Sequence, residues 1–368
     1  MQETTIVAIV IFVVAYALII SEKIHRTIVG IFGAMLMILF GVLSQEMAIH
    51  HIDFNTLGLL MGMMIIVNIT SETGLFNFLA VWAAKKVKAR PIALLLALSA
   101  LTAVCSGLLD NVTTVLLTVP VTFSITKQLR VDVKPYLISQ IFCSNIGGTA
   151  TLIGDPPNIM IGSAVGLNFM DFIFNLTGIC IIIFLVVELF IIWLYGKGLR
   201  TKPELQAEVM RMDASKEITD HKLLKKCLFV IFCTIALFIL HSSLHLETAT
   251  AALSGAGLLL LLTARRDEAF IAKILSKIEW LAIFFFAGLF VLVGGLVETG
   301  VIKMLAQEAI NITNGDVTTT AVLILWMSAI ASSFIEAISS VCMESISTFS
   351  IFFILPRSVS FESFPCRP

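Results

Sequence analysis

Apolar runs long enough to cross a lipid bilayer set the limits on this chain. A spanning helix takes ~20 mostly apolar residues to bridge a ~30 Å hydrocarbon core. Such runs lie at 5–20, 27–43, 54–71, 136–167 with an interruption, 172–194, 227–241, 248–264 and 280–297. Two further apolar arms, 91–107 and 113–126, flank Leu109-Asp110-Asn111. Of the 368 residues, 58% are hydrophobic and 13% charged. Soluble domains average about 45–50% and about 25%, so this chain has too little polar surface to coat itself in water. The expected fold is an all-α, multi-pass protein of the cell membrane, with the lipid bilayer as its first partner.

The charges sort by side. Lys and Arg stay on the cytoplasmic face when a polytopic chain inserts. All but Lys303, Arg357 and Arg367 of the 24 fall at Lys23 and Arg26, Lys85 to Arg90, Lys127 to Lys134, the linker 195–226, or Arg265 to Lys277. This pattern places the N-terminus outside, and Met1-Gln2-Glu3 lacks the basic start of a cleavable signal peptide. The arms near 91–126 begin and end beside basic clusters, which predicts a re-entrant hairpin or a close helix pair turning at Asp110-Asn111. No Lys or Arg lies between Lys134 and Lys197, as expected for an outward crossing through a broken helix near 136–167 and a return through 172–194. The chain thus divides into a first membrane half, 1–194, a cytoplasmic linker, 195–226, a second membrane half, 227–335, and a divergent tail, 336–368.

The two halves are related. An offset of 226 places Gly62 on Gly288 and Glu72-Thr73-Gly74 on Glu298-Thr299-Gly300. Six of the twelve positions from 72 to 83 are identical to their counterparts, enough to identify a repeat. Span 54–71 runs inward and span 280–297 outward by the charge pattern, so the copies are inverted. Inverted repeats are the architecture of many secondary transporters, because pseudo-symmetric halves expose one central site alternately to each side. The second copy is expected to be incomplete. Asp110-Asn111 maps onto Glu336-Ala337, and no partner for Gly147 to Asn158 follows; a frameshift or premature end and an inactive, non-transporting fragment are the expectation from that loss.

Two stretches could carry chemistry. Asp110 lies in an apolar stretch, and an ionisable group at membrane depth costs ~2.5–3.5 kcal/mol on insertion scales. An Asp capping the second arm would be the bland alternative, but a cap alone does not account for a charge at that depth. Asn111, Thr113 and Thr114 add oxygens beside it. The second stretch holds Ser144, Asn145, Gly147, Gly148, Thr149, Thr151, Gly154, Asp155 and Asn158, with Pro156-Pro157. Its glycines and prolines predict an unwound helix. Unwound backbone at membrane depth survives where protein or a wet cavity satisfies it, and such breaks hold substrate and coupling ions.

Glu188 in span 172–194 is a candidate proton relay, or else reaches the inner interface. Glu72-Thr73-Gly74 reads as a helix stop followed by a new cap. His241 and His245 lack a third ligand, and the seven cysteines form no C-x-x-C pair, so no metal centre and no cofactor are expected. The balance of 24 Lys and Arg against 25 Asp and Glu gives no basic excess for nucleic acid. Neither a P-loop nor a catalytic constellation is present, so the chain is not expected to be an ATP-driven pump or an enzyme.

The stretches Leu109-Asp110-Asn111-Val112-Thr113-Thr114-Val115 and Asn145 to Asn158 resemble the ion transporter superfamily. The likeness is in particular to its branch of arsenite permeases, NhaD-type sodium/proton antiporters and the melanosomal P protein, which share a citrate-transporter-like domain. The resemblance covers about 5–335. It implies that Asp110 to Thr113 form the tip of a re-entrant hairpin and Gly147 to Asn158 the break of a discontinuous helix, together lining half of an ion and substrate site moved by an elevator-like motion. It further implies sodium or protons as the coupling ion and a small inorganic ion or oxyanion as substrate; a homodimer is the candidate assembly. Dicarboxylate carriers of the superfamily place Ser-Asn-Thr where Asp110-Asn111-Val112-Thr113 stand here, which makes a citrate-type substrate the alternative.

Overall fold

The computed structural model describes residues 2–21, 23–109, 111–263 and 268–336, which form seventeen α-helices with no strand among them. The first half holds α1 (Gln2–Ser21), α2 (Arg26–Leu39), α3 (Gln45–His51), α4 (Phe54–Ser71), α5 (Leu75–Lys86), α6 (Pro91–Leu108), α7 (Asn111–Leu129), α8 (Lys134–Thr149), α9 (Pro156–Val165) and α10 (Phe169–Tyr195). The linker is not featureless: it carries α11 (Pro203–Arg211) and a 3-10 turn at Ala214–Glu217. The second half holds α12 (His221–Leu244), α13 (Thr248–Thr263), α14 (Glu268–Ser276), α15 (Trp280–Glu298), α16 (Val301–Ile312) and α17 (Val317–Glu336). The divergent tail from Ala337 lies outside the described residues, and with it the expected loss of a second break.

Local chemistry sets the boundaries. Pro91 opens α6 at its first position, where a missing N–H costs nothing. Asn168 and Asp171 form a reciprocal capping box at the start of α10, with Asn168 Oδ1 accepting from Asp171 N at 3.1 Å and Asp171 Oδ2 from Asn168 N at 2.8 Å. Seven helices, α1, α4, α6, α7, α10, α12 and α15, are long and apolar enough to cross a membrane. Both hairpin arms are among them. Large apolar side chains such as Phe174 and Trp193 stand 78% and 75% exposed on α10, a surface suited to acyl chains. This is a multi-pass integral membrane protein.

The repeat is visible in the helices. Adding 226 to the limits of α5 gives those of α16. Gly74 and Gly300 precede these helices with the same left-handed backbone, φ 76° and 78°, which glycine adopts without steric cost. The compact units nevertheless cut across the two halves. One joins the chain before Gly58 to the chain after Ile278; the other is Gly58–Ile278. In the first unit α15 packs on α2, and a Cβ on Gly288 would sit 2.5 Å from the carbonyl carbon of Gly30. In the second unit α4 packs on α13, and a Cβ on Gly62, the repeat counterpart of Gly288, would sit 2.7 Å from the carbonyl carbon of Ala252. Each copy therefore lends the helix that begins its conserved stretch to the other copy's helix pair.

Candidate transport site

The hairpin and the broken helix are joined along their length. α6 and α8 run parallel, tied by Tyr136 Oη donating to Pro91 O (2.9 Å), Ser99 and Ser139 hydroxyls 2.5 Å apart, Gln140 Nε2 donating to Thr102 Oγ1 (3.3 Å) and Ser106 Oγ donating to Ser144 O (2.5 Å). Small residues and polar side chains are what membrane helix interfaces use, since lipid offers no hydrophobic drive. Gly147 makes the tightest approach: a Cβ there would lie 2.0 Å from Ala103 O.

This explains a difference from the sequence reading. The glycines at 147 and 148 do not unwind the helix, for α8 continues through both to Thr149. They stay helical and let α6 come close. Pro156 and Pro157 do not break a helix either; they occupy the first turn of α9. The unwound stretch is confined to 150–155.

The break packs on the hairpin tip. Thr151 Oγ1 donates to Gly107 O at 2.6 Å, and Asn111 Nδ2 donates to Asn145 Oδ1 at 3.0 Å. Within the break, Asn158 is 1% exposed and donates through Nδ2 to Thr151 O (2.8 Å), Thr149 O (3.2 Å) and Gly148 O (3.3 Å). One amide thus serves the carbonyls of Thr149 and Thr151 and shares that of Gly148 with Thr151 N (3.4 Å). Its Oδ1 is buried with no partner among the described residues. Asp155 is buried at the N-cap of α9 without capping it, its Oδ2 3.5 Å from Thr149 Oγ1. Gly148 and Gly154 lie against each other, a Cβ on Gly154 meeting Gly148 Cα at 2.5 Å.

The remaining expected residues fall into two groups. Thr113 and Thr114 lie in the first turn of α7; Thr114 is buried and its hydroxyl has no partner among the described residues. Ser144 turns its hydroxyl back to Ile141 O of its own helix (2.9 Å). Asp110 lies outside the described residues. Glu188 does not reach an interface: it is 1% exposed and faces α8. Sequence reading missed Ser99, Thr102, Ser139, Gln140 and Cys143, although the spacing of Tyr136, Ser139, Gln140, Cys143 and Gly147 on α8 is that of one helix face.

The gathered side chains are amides, hydroxyls and the Asp155 carboxylate, with no Lys, Arg or His among them. The sequence profile described as "Citrate transporter" matches residues 16–350. The chain belongs to the citrate transporter family. An uncharacterised transporter of Mycobacterium tuberculosis strain H37Rv is 40% identical to this family member over 338 residues, covering 91% of this chain and 78% of that protein. A 46 kDa membrane protein of Mycobacterium leprae is 38% identical over the same shares of both chains. The P protein of Mus musculus is 32% identical over 412 aligned residues, covering 90% of this chain and 49% of the P protein. Family and relatives agree on a membrane transporter.

Proposed function

We propose that this citrate transporter family member is a secondary active transporter of a small inorganic ion or oxyanion, driven by a sodium or proton gradient and not by enzymatic chemistry. The observation that carries the reading is the junction of hairpin tip and break. Asn111, Asn145, Thr149, Asp155 and the orphaned Oδ1 of Asn158 bring neutral oxygens and one acid together. Oxygen ligands of this kind suit hard cations, and a break of this kind is the usual binding element of transporters with inverted repeats. The likeness of the two motifs to the arsenite permease and sodium/proton antiporter branch supports the same substrate class and an elevator-like movement.

A carboxylate carrier is the second reading, favoured by the family's own description. A citrate trianion would require positive charge that the gathered side chains do not supply. The test is flux into proteoliposomes with sodium, arsenite and citrate as probes, under an imposed sodium or proton gradient. Gradient-driven movement of sodium or arsenite that Asn145→Ala reduces is expected. Movement of citrate alone would install the second reading, and no movement of any probe would refute transport by this chain.

A further inference from the structure

A second polar centre lies outside the site just described. Glu188 follows Asp171 as the next charged residue of α10, seven residues before the end of that helix at Tyr195, or ~10 Å at 1.5 Å per residue. Its Oε1 accepts from Ser139 Oγ and from Cys143 Sγ (3.1 Å), both on α8. Ser139 in turn shares a 2.5 Å hydrogen bond with Ser99 of α6. The other oxygen, Oε2, is fully buried with no partner among the described residues.

Among the described residues no counter-charge meets this carboxyl. The ion pairs among the described residues are His51–Glu298, Lys273–Glu72 and Lys277–Glu72. α8 faces Glu188 with Ser139 and Cys143, and the nearby Tyr136 hydroxyl is committed to Pro91 O. α12, which also packs on α10, meets it through Phe238 on Phe169, nineteen residues from Glu188. A bare carboxylate in such a place carries a large desolvation cost without a Coulombic return. Binding a proton removes that charge.

We propose that Glu188 is a proton-binding site coupled through α8 to the transport site. The ligand is H⁺, with Ser99 and Ser139 as the relay. A proton reaching Ser99 Oγ displaces the serine's own onto Ser139, and Ser139 passes its proton to Oε1. Each hydroxyl keeps one hydrogen and the carboxylate becomes the acid. Cys143 and Thr149 are six residues apart on α8, ~9 Å, so one helix touches both the proton site and, through Thr149, Asp155. The coupling rests on the transport reading; the proton site does not.

Two measurements on the full chain in proteoliposomes test this. Infrared difference spectra across a pH titration are expected to show the carbonyl stretch of a protonated carboxyl, absent in Glu188→Gln and kept in Ser139→Ala. With whichever of sodium, arsenite or citrate moves in the wild type, Glu188→Gln is expected to lose accumulation driven by a proton gradient down to the level of empty vesicles while retaining solute self-exchange. An unchanged infrared titration in Glu188→Gln, or undiminished proton-driven accumulation, would overturn the proposal. Equal loss of exchange and accumulation would mark Glu188 as structural and overturn the coupling. A wild type that moves nothing refutes the transport reading alone, and the infrared band still decides the proton site.

Discussion

Glu298 Oε1 lies 3.0 Å from His51 Nε2, and the offset of 226 carries this pair onto Glu72 and Lys277, which also form an ion pair. In both, the acid comes from one repeat copy and the base from the other. Glu298 ends α15 and Glu72 directly follows α4, the helix each copy lends away, and the base follows or ends the short helix before it, α14 or α3.

The pairing of Glu72 with Lys273 and Lys277 gives a pH prediction. Lys273 first, then Lys277, hold the Glu72 carboxyl below the ordinary carboxylate range, partly opposed by burial. Because the folded value is depressed, the stabilisation is fully present above the unfolded carboxylate value of ~4.3 and disappears as pH falls through the folded one. Lys273 and Lys277 are 55% and 40% exposed, so screening limits the contribution to about 1 kcal/mol. Glu72→Gln is expected to unfold at a lower temperature in detergent near neutral pH and to converge with the wild type in acid. A gap that persists unchanged to the lowest pH would show that the lysines are not its source.

Two glycines one helix apart should respond in opposite ways. At Gly147 an added methyl meets the backbone oxygen of Ala103, which cannot rotate away, whereas at Gly178 of α10 nothing lies within 4 Å. Gly147→Ala is expected to cost about 3 kcal/mol or more, the upper end of overpacking. Gly178→Ala should be neutral or up to ~1 kcal/mol stabilising through helix propensity. Thermal unfolding of the two purified variants compares them directly; equal behaviour would mean that α6 and α8 are not in the contact described.

The spans, the hairpin and the broken helix were legible because run length, charge and Gly/Pro interruptions act locally. What was not legible depends on partners. Gly147 looked like a helix breaker because a glycine that unwinds a helix and one that admits a neighbour are the same letter; only Ala103 across the contact decides. The exchange of α4 and α15 between repeat copies was likewise hidden, since Gly62 and Gly288 mark a close approach without saying to what. Glu188 was left between a proton relay and an interfacial residue because sequence gives depth but not rotation about the helix, and Ser139 and Cys143, four apart on another helix, are what it faces.

The amide pair at the hairpin tip is open to a double-mutant cycle. Asn111 and Asn145 are both half-buried and share one hydrogen bond. Asn111→Ala and Asn145→Ala should each weaken thermal stability, and their combination should fall short of the sum by about 1 kcal/mol, the net worth of one such bond. Strict additivity would mean that tip and break do not touch through these two side chains.

Asn158 separates scaffold from site. Its Nδ2 holds three carbonyls of the broken stretch, while its Oδ1 is unengaged. Asn158→Asp keeps the size but replaces the donor by an oxygen facing three oxygens; Gly148 O keeps Thr151 N, while the carbonyls of Thr149 and Thr151 lose this donor at about 1–3 kcal/mol each. The variant is therefore expected to lose several kcal/mol of stability whether or not sodium, arsenite or citrate is present. Thermal unfolding with and without each solute reads both effects at once. If stability is preserved and only the shift produced by a solute is lost, the amide is not what closes the broken end of α8, and Asn158 acts through Oδ1 on the solute instead.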